Sequence, residues 1–301
     1  MEKIKNLITE KILGQVELNV PLAELTSFKT GGTADLFVCP NNLMELLTVL
    51  SILKENSVPY FLLGAGSNLL ICDKGIRGAV IKLGDGFDYA HAKGDYILAG
   101  ASVSLAKLSA EAKNAELAGL EFASGIPGSL GGAIYMNAGA YGGEMKDVIT
   151  EVSYIDNDGT VKTIAGTDCD FGYRQSIFTQ GDKIIVSAKL TLNKGNKNEI
   201  IATMRDLNAK RKEKQPLEYP SAGSTFRRPE GHFAGALIEQ AGLKGHRIGG
   251  AEVSTKHAGF IINVDNATAK DVLDLISYVQ KTVKENSGVD LEPEVKIVGE
   301  Q

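Results

Sequence analysis

Apolar residues recur along this chain at two periods. Ile4, Leu7, Ile8 and Ile12 follow helical spacing and stop before Gly14, which predicts a short amphipathic helix at the start. Leu36-Phe37-Val38-Cys39 reads as a strand, and Asn41 or Asn42 can cap the helix that follows, whose face is Leu43, Leu46, Leu47 and Leu50. Pro59-Tyr60-Phe61-Leu62-Leu63 is a buried strand, and Leu69-Leu70-Ile71-Cys72 is a second one close behind it. The opening third is therefore expected to be β-α-β. Residues 79–83 and 96–99 read as short strands, and 104–117 as a helix stopped by Gly119. Residues 148–155 and 161–164 flank the turn Asp156-Asn157-Asp158-Gly159 and predict a hairpin, followed by a strand over 184–192.

The pattern changes after 193–196, which reads as a linker. Ile200, Ile201, Met204 and Leu207 form one helix face, and Lys210, Arg211 and Lys212 in its last turn suit the negative end of a helix dipole. Thr268 with Asp271 fits a capping box for a helix that turns Val272, Leu275, Ile276, Val279 and Val283 inward. The expected fold class is α+β in two lobes, with a boundary near residue 195.

Length agrees with two lobes, since 301 residues predict about two domains. Lys plus Arg is 32 and Asp plus Glu is 37, a net charge of −5, which argues against a general nucleic-acid binder. Cys39, Cys72 and Cys169 are widely spaced with no C-x-x-C, and the four histidines lack ligand spacing, so no metal site is expected. No apolar run approaches the length of a membrane span, and residues 1–11 lack the apolar core of a signal peptide. The expectation is a soluble cytoplasmic protein with free thiols.

Glycine is the skewed number: 34 residues, about 11% against a usual ~7%. Seven fall in the segment 125–143, and two more frame Gly64-Ala65-Gly66-Ser67-Asn68. Such runs allow positive φ and let backbone amides approach an anionic ligand. Position 69 is leucine, so the first run is not a G-x-G-x-x-G turn, and no glycine precedes a lysine as in a Walker A loop. Two dense glycine loops favour a phosphate-bearing cofactor over two tight turns.

Three segments then occur in order: Ser27-Phe28-Lys29-Thr30-Gly31-Gly32, Gly64-Ala65-Gly66-Ser67-Asn68-Leu69-Leu70, and 125–143. They resemble the FAD-binding region of the vanillyl-alcohol-oxidase-type fold. Tyr173-Arg174-Gln175-Ser176-Ile177-Phe178, Ala222-Gly223-Ser224-Thr225-Phe226 and Leu291-Glu292-Pro293-Glu294-Val295 narrow the likeness. Together they resemble the UDP-N-acetylenolpyruvoylglucosamine reductase (UDP-N-acetylmuramate dehydrogenase) family, in its compact second type, across nearly the whole chain. The resemblance implies FAD-binding subdomains over 1–80 and 81–195 and a C-terminal α+β substrate domain over 196–301. The last strand, about 289–301, is expected to return to the FAD-binding region.

The resemblance implies non-covalent FAD, with NADPH as co-substrate. The implied cofactor residues are Gly64, Ala65, Gly66, Ser67, Asn68 and Leu69, then Gly125, Ile126, Pro127, Gly128 and Ser129, then Gly131, Gly132, Ala133, Asn137, Gly139, Ala140 and Tyr141. The implied substrate is UDP-N-acetylglucosamine enolpyruvate, reduced to UDP-N-acetylmuramate for peptidoglycan precursors by hydride from FAD N5 to the enolpyruvyl methylene. Protonation of the neighbouring carbon follows. Arg174, Ser224 and Glu294 are the implied catalytic residues. Charge developing on that carbon flows into the carboxylate, where the planar fork of Arg174 can meet it. Ser224 is the candidate proton donor to carbon, and Glu294 fits if it shares a proton with an enol oxygen. Lys214, Arg227, Arg228 and Gln240 are the candidate substrate contacts. The stretch 205–214 carries five cations and two anions, which suits attraction of a diphosphate. The substrate tyrosine of the family's first type has no assignable counterpart here.

Two other readings compete. One is another FAD-linked oxidase or dehydrogenase of this fold, acting on an alcohol or 2-hydroxy acid. The other is a non-catalytic nucleotide-sugar sensor, which would need no proton donor. A monomer without nucleic-acid or membrane partners is the default.

Overall fold

The computed structural model describes residues 1–181 and 183–301. The chain forms two compact units, each discontinuous in sequence. The first takes Met1–Leu18, Leu36–Ala65 and Ala79–Arg211; the second takes Asn19–Asp35, Gly66–Gly78 and Lys212–Gln301. Two N-terminal pieces thus belong with the C-terminal third, where sequence periodicity suggests contiguous blocks.

In the first unit, the helices Glu2–Thr9 and Leu43–Glu55 form where expected. Asn42 caps the second, accepting from Glu45 N at 3.0 Å. Ile4, Ile8, Leu46, Val49 and Leu53 close over Val38 and Ile81 in one core. A four-stranded sheet has the order Gln15–Pro21, Thr33–Cys39, Ile76–Ile81, Tyr60–Leu62. Its last two strands are parallel, and the helix Leu43–Glu55 connects Thr33–Cys39 to Tyr60–Leu62 across the intervening strand Ile76–Ile81. The expected β-α-β needs one correction. Strand Leu69–Ile71 does not join this sheet; it pairs parallel with Lys296–Val298 in the second unit.

A second core in the first unit lies on a five-stranded antiparallel sheet, ordered Val161–Ala165, Ile149–Ile155, Ile184–Thr191, Tyr96–Gly100, Ala90–Lys93. The predicted hairpin is its edge, running from Ile155↔Val161 to Glu151↔Ala165. Helix Leu105–Asn114 packs on it, with Ser104 accepting from Lys107 N at 3.1 Å. The segment 193–196 is not a linker. Asn193–Lys194 pairs with Leu117–Ala118, and Gly195 N donates to Glu116 O at 2.9 Å. A polar tetrapeptide carries as many backbone donors as any other, and these find partners inside the unit. Helix Lys197–Lys214 follows directly and buries only Ile200.

The second unit holds an antiparallel sheet ordered Ser221–Ser224, Phe260–Asn263, Ala251–Val253, Arg247–Ile248. Helices Ala234–Gln240 and Ala269–Ser287 cover it. The five predicted inward residues of the longer helix are all buried, in one core with Phe28 and Leu70. Its capping box is present, with Asp271 N donating to Thr268 Oγ1 and Thr268 N to Asp271 Oδ2, both at 3.0 Å. Asp73 adds a carboxylate at the same helix start, accepting from Ala269 N and Lys270 N at 2.8 and 2.9 Å, where the dipole favours it.

The three cysteines are free thiols. Cys72 and Cys169 are buried, and burial pushes the Cys169 thiol up to about 11. At pH 8 an alkylating reagent should therefore leave both unmodified in the native protein and label them fully in denaturant, as mass spectrometry of the peptides would read. Rapid native labelling of Cys169 would contradict this packing.

Candidate active site

The two glycine loops meet within the first unit. A Cβ built on Gly64 would lie 3.2 Å from Ser129 Oγ, and one on Gly132 would lie 3.6 Å from the same atom, with no other neighbour within 4 Å at either glycine. Gly64, Ala65, Pro127 and Gly132 are exposed, whereas Ser129 is buried beneath them. This is a backbone surface kept bare of side chains around one hydroxyl, and it suits close approach of a large planar or diphosphate-bearing group. A short helix, Leu130–Tyr135, begins here and is not visible in the sequence pattern. Two amides of the segment are already used: Leu130 N donates to Val103 O at 2.9 Å and Gly131 N to Ala101 O at 2.8 Å. The segment is therefore sewn onto the sheet beneath it, and only part of its backbone is left for a ligand.

The C-terminal turns of the helix Lys197–Lys214 also bear on this segment. Arg211 donates to Gly125 O, and Asn208 Nδ2 donates to Ser124 Oγ at 3.3 Å. Burial lowers the Arg211 guanidinium from its usual value, and the Tyr141 hydroxyl beside it opposes that. Lys210 pairs with Asp206 at 2.7 Å. Two of the five cations expected to attract a diphosphate are thus engaged inside their own unit, Arg211 as a tether of the glycine segment.

Arg174 stands in the first unit at φ +56°, a left-handed position that few non-glycine residues hold. It forms the tip of a narrow turn bridged by Gly172 and Gln175, and its guanidinium lies 5.2 Å from the Tyr173 ring centroid. Asn137, 1% exposed, links this turn to the glycine segment, donating to Gly172 O and to Glu144 Oε2, each at 3.0 Å. Lys146, then Asn137 and the charge of Arg174, hold the Glu144 carboxyl below its ordinary range against a rise from burial.

The second unit gathers the other two expected catalytic residues. Gly223, at φ +78°, turns the strand so that Ser224 is exposed while its neighbour Thr225 is 2% exposed. Thr225 is a hub: its N donates to Gly259 O at 2.8 Å, its Oγ1 accepts from Ile261 N at 3.0 Å, and its carbonyl accepts from Glu294 N at 2.7 Å. That last bond sets half-buried Glu294 beside the strand bearing Ser224. Asn68 joins the same cluster, donating from Nδ2 to Glu294 O at 3.3 Å and accepting from Lys296 N at 3.0 Å. Gly66, in the same loop, is glycine by necessity: its φ is +67° and a Cβ would lie 2.2 Å from Leu25 O.

Among the candidate substrate contacts, Lys214 ends its helix and Gln240 ends Ala234–Gln240, both exposed. Arg227 faces Glu292 at 4.0 Å, and Arg228 stacks 4.0 Å from the Phe233 ring centroid. Sequence reading missed Thr225, Asn208, Arg211 and Glu144 as supports. Among the described residues no group of three or more His, Cys, Asp or Glu could hold a metal ion, and no helix is long and apolar enough to cross a membrane.

Residues 34–165 match the family described as FAD binding domain, and 215–298 match UDP-N-acetylenolpyruvoylglucosamine reductase, C-terminal domain. The chain is 50% identical to the UDP-N-acetylenolpyruvoylglucosamine reductase of Caldanaerobacter subterraneus subsp. tengcongensis over 301 residues, which is 100% of this chain and 98% of that protein. It is similar to the crystal structure of UDP-N-acetylenolpyruvylglucosamine reductase from Thermus caldophilus, with a TM-score of 0.84 and 37% identity over 95% of this chain and 100% of that one. Phl p 4.0202, a glucose dehydrogenase, shares the fold over 65% of this chain and 44% of its own, with a TM-score of 0.51 and 12% identity.

Gly132→Val puts a branched side chain where only Ser129 Oγ stands nearby, at a helical position where valine is intrinsically no worse than glycine. The variant should fold with an unchanged circular dichroism spectrum and purify without the flavin absorbance of the parent. A fully yellow Gly132→Val protein would mean that this bare backbone is not the cofactor cradle.

Proposed function

The chain belongs to the UDP-N-acetylenolpyruvoylglucosamine reductase family, and from that premise we propose how its own residues reduce UDP-N-acetylglucosamine enolpyruvate to UDP-N-acetylmuramate with NADPH as reductant. It is an FAD-containing oxidoreductase with a vanillyl-alcohol-oxidase-type fold, and family likeness over its full length sets aside the alcohol oxidase and the sensor. The observation that carries the residue assignment is the Thr225 hub. It fixes Ser224 and Glu294 on adjoining segments of one unit, although they are 70 residues apart in sequence.

The bare backbone at Gly64 and Gly132, with Ser129 between, fits FAD, and the other residues of the 125–143 segment are its proposed neighbours, with both Asn137 donors kept for the protein itself. Held there, FAD would supply the hydride carrier between NADPH and the enolpyruvyl methylene carbon. The chain's residues do the rest. Arg174 binds the substrate carboxylate through two N–H donors, and its permanent charge stabilises the electron density that arrives there. Ser224 delivers a proton to the neighbouring carbon; its exposure on the turn made by Gly223 leaves the hydroxyl accessible for that purpose. Glu294 shares a proton with the enol oxygen, so that the intermediate never carries its full charge. Asn68 and Thr225 hold the Glu294 backbone and position its carboxyl.

Lys214, Arg227 and Arg228 bind the diphosphate and Gln240 a polar group of the sugar or base. For Arg227 this means exchanging Glu292, a partly exposed partner at the 4.0 Å limit, for a phosphate oxygen. We assign the FAD-binding role to 1–195 and the substrate role to 196–301, although 196–211 pack with the first unit and 19–35 and 66–78 with the second. We place the reaction in the cytoplasm, where NADPH is regenerated and free thiols persist, with one chain as the catalytic unit.

Ser224→Ala should leave bleaching of the flavin by NADPH nearly intact and slow its reoxidation by the enolpyruvyl substrate by about 10²-fold. Glu294→Gln should show the same asymmetry in anaerobic stopped flow. Equal losses in both half-reactions would make these residues structural.

A further inference from the structure

Both donors of the Asn137 side chain are used. Its amide has two donors, which go to Gly172 O and Glu144 Oε2, each at 3.0 Å, and its carbonyl accepts from Lys146 N at 3.0 Å. The residue is 1% exposed and sits at φ +45°, a backbone position that asparagine tolerates better than most side chains. It has no N–H left to donate to a cofactor without giving up one of these bonds. One partner, Gly172, belongs to the turn that carries Arg174. Gly172 closes the turn on which Arg174 is the third residue, through paired bonds with Gln175: Gly172 N to Gln175 O at 3.0 Å and Gln175 N to Gly172 O at 3.4 Å. Ser176 fastens the other side of the turn, donating to Tyr135 O at 2.7 Å. Glu144 is fixed in turn by Lys146 Nζ at 2.7 Å and by its own capping box with Asp147, so the carboxylate cannot swing away.

We propose that Asn137 is a positioning residue for the reduction: by tying Gly172 to the Glu144 carboxylate, it holds the Arg174 turn in its left-handed geometry. This rests on the reading of Arg174 as the group that binds the substrate carboxylate. A left-handed non-glycine residue is strained and persists only where its surroundings over-determine it. Asn137 on one flank and Ser176 on the other provide that determination. Lys146 pairs with the Glu144 carboxylate at 2.7 Å and keeps it in place as the far anchor of the Asn137 amide. Without Asn137 the turn relaxes, and the planar fork no longer meets the carboxylate in register.

The test is a double-mutant cycle of Asn137→Ala with Arg174→Ala, read in two ways. One is the calorimetric affinity of the oxidised holoenzyme for the enolpyruvyl nucleotide sugar, which does not turn over without reduced flavin. The other is the rate at which that substrate reoxidises NADPH-reduced flavin. Asn137→Ala alone should weaken binding and slow reoxidation by about 10²-fold, as a misplacement of about 1 Å does. In the Arg174→Ala background it should add less than about twofold to either loss. The same penalty in both backgrounds would overturn the proposal and make Asn137 a general support of the unit. If Arg174→Ala itself changes neither affinity nor reoxidation, the reading of Arg174 fails first, and the proposal with it. Should Asn137→Ala fail to fold or to hold flavin, Glu144→Gln takes its place in the cycle. It keeps the shape of the contact and removes the charge, and its penalty must likewise vanish without Arg174.

Discussion

Three residue pairs, Leu69 with Lys296, Leu70 with Ile297 and Ile71 with Val298, are the contact on which the second unit depends. This parallel ladder joins a strand from the first quarter of the chain to the last strand of all. A parallel pair cannot be joined by a tight turn, so its two strands come from distant parts of the chain. Its consequences reach the chemistry directly. The residue before the first strand is Asn68, which binds the carbonyl of Glu294, and the residue after that glutamate is Val295, buried in the core. The ladder therefore sets the height at which Glu294 leaves the sheet. Thr225 sets its lateral position and that of Ser224 at the same time. One long-range pairing and one buried threonine thus fix the segments that carry Glu294 and Ser224 in one unit.

In the first unit the corresponding constraint is the absence of side chains. Gly64 and Gly132 leave open backbone around Ser129, while Leu130 and Gly131 spend their amides on the sheet below. A surface of bare backbone is flexible unless it is tied down, and the ties are polar: Arg211 to Gly125 at one end and Asn137 to Gly172 and Glu144 at the other. The high glycine content and the unusual number of engaged polar side chains are two sides of one requirement. A flat aromatic cofactor needs close approach, and close approach needs a loop that does not move.

The elements with local signals were legible in the sequence. The caps at Asn42, Ser104 and Thr268, the hairpin around Asp156-Asn157-Asp158-Gly159, and the five inward residues of the last helix all follow from side chains within four residues of each other. What escaped was set by distant partners. Leu69–Ile71 looks like the next strand of a β-α-β unit, and only residues some 226 positions away show otherwise. Residues 193–196 look like a linker because small polar residues are common there, yet their backbone pairs with Leu117–Ala118. Motif likeness supplied Arg174, Ser224 and Glu294. It could not supply Thr225, Arg211 or Glu144, whose ordinary side chains acquire a role only through the atoms they face. The strand Gln15–Pro21 was in reach, since Val16, Leu18 and Val20 alternate with polar neighbours, but its short amplitude is easily passed over.

The central claim is that one flavin, reduced by NADPH, passes its electrons to an enolpyruvyl nucleotide sugar on this chain. Anaerobic mixing of the purified yellow protein, first with NADPH and then with UDP-N-acetylglucosamine enolpyruvate, tests it most directly. The flavin absorbance should bleach with the first addition and return in full with the second, in step with formation of one UDP-N-acetylmuramate per flavin. A flavin that NADPH does not bleach, or that stays bleached when the enolpyruvyl substrate is added, would contradict the account.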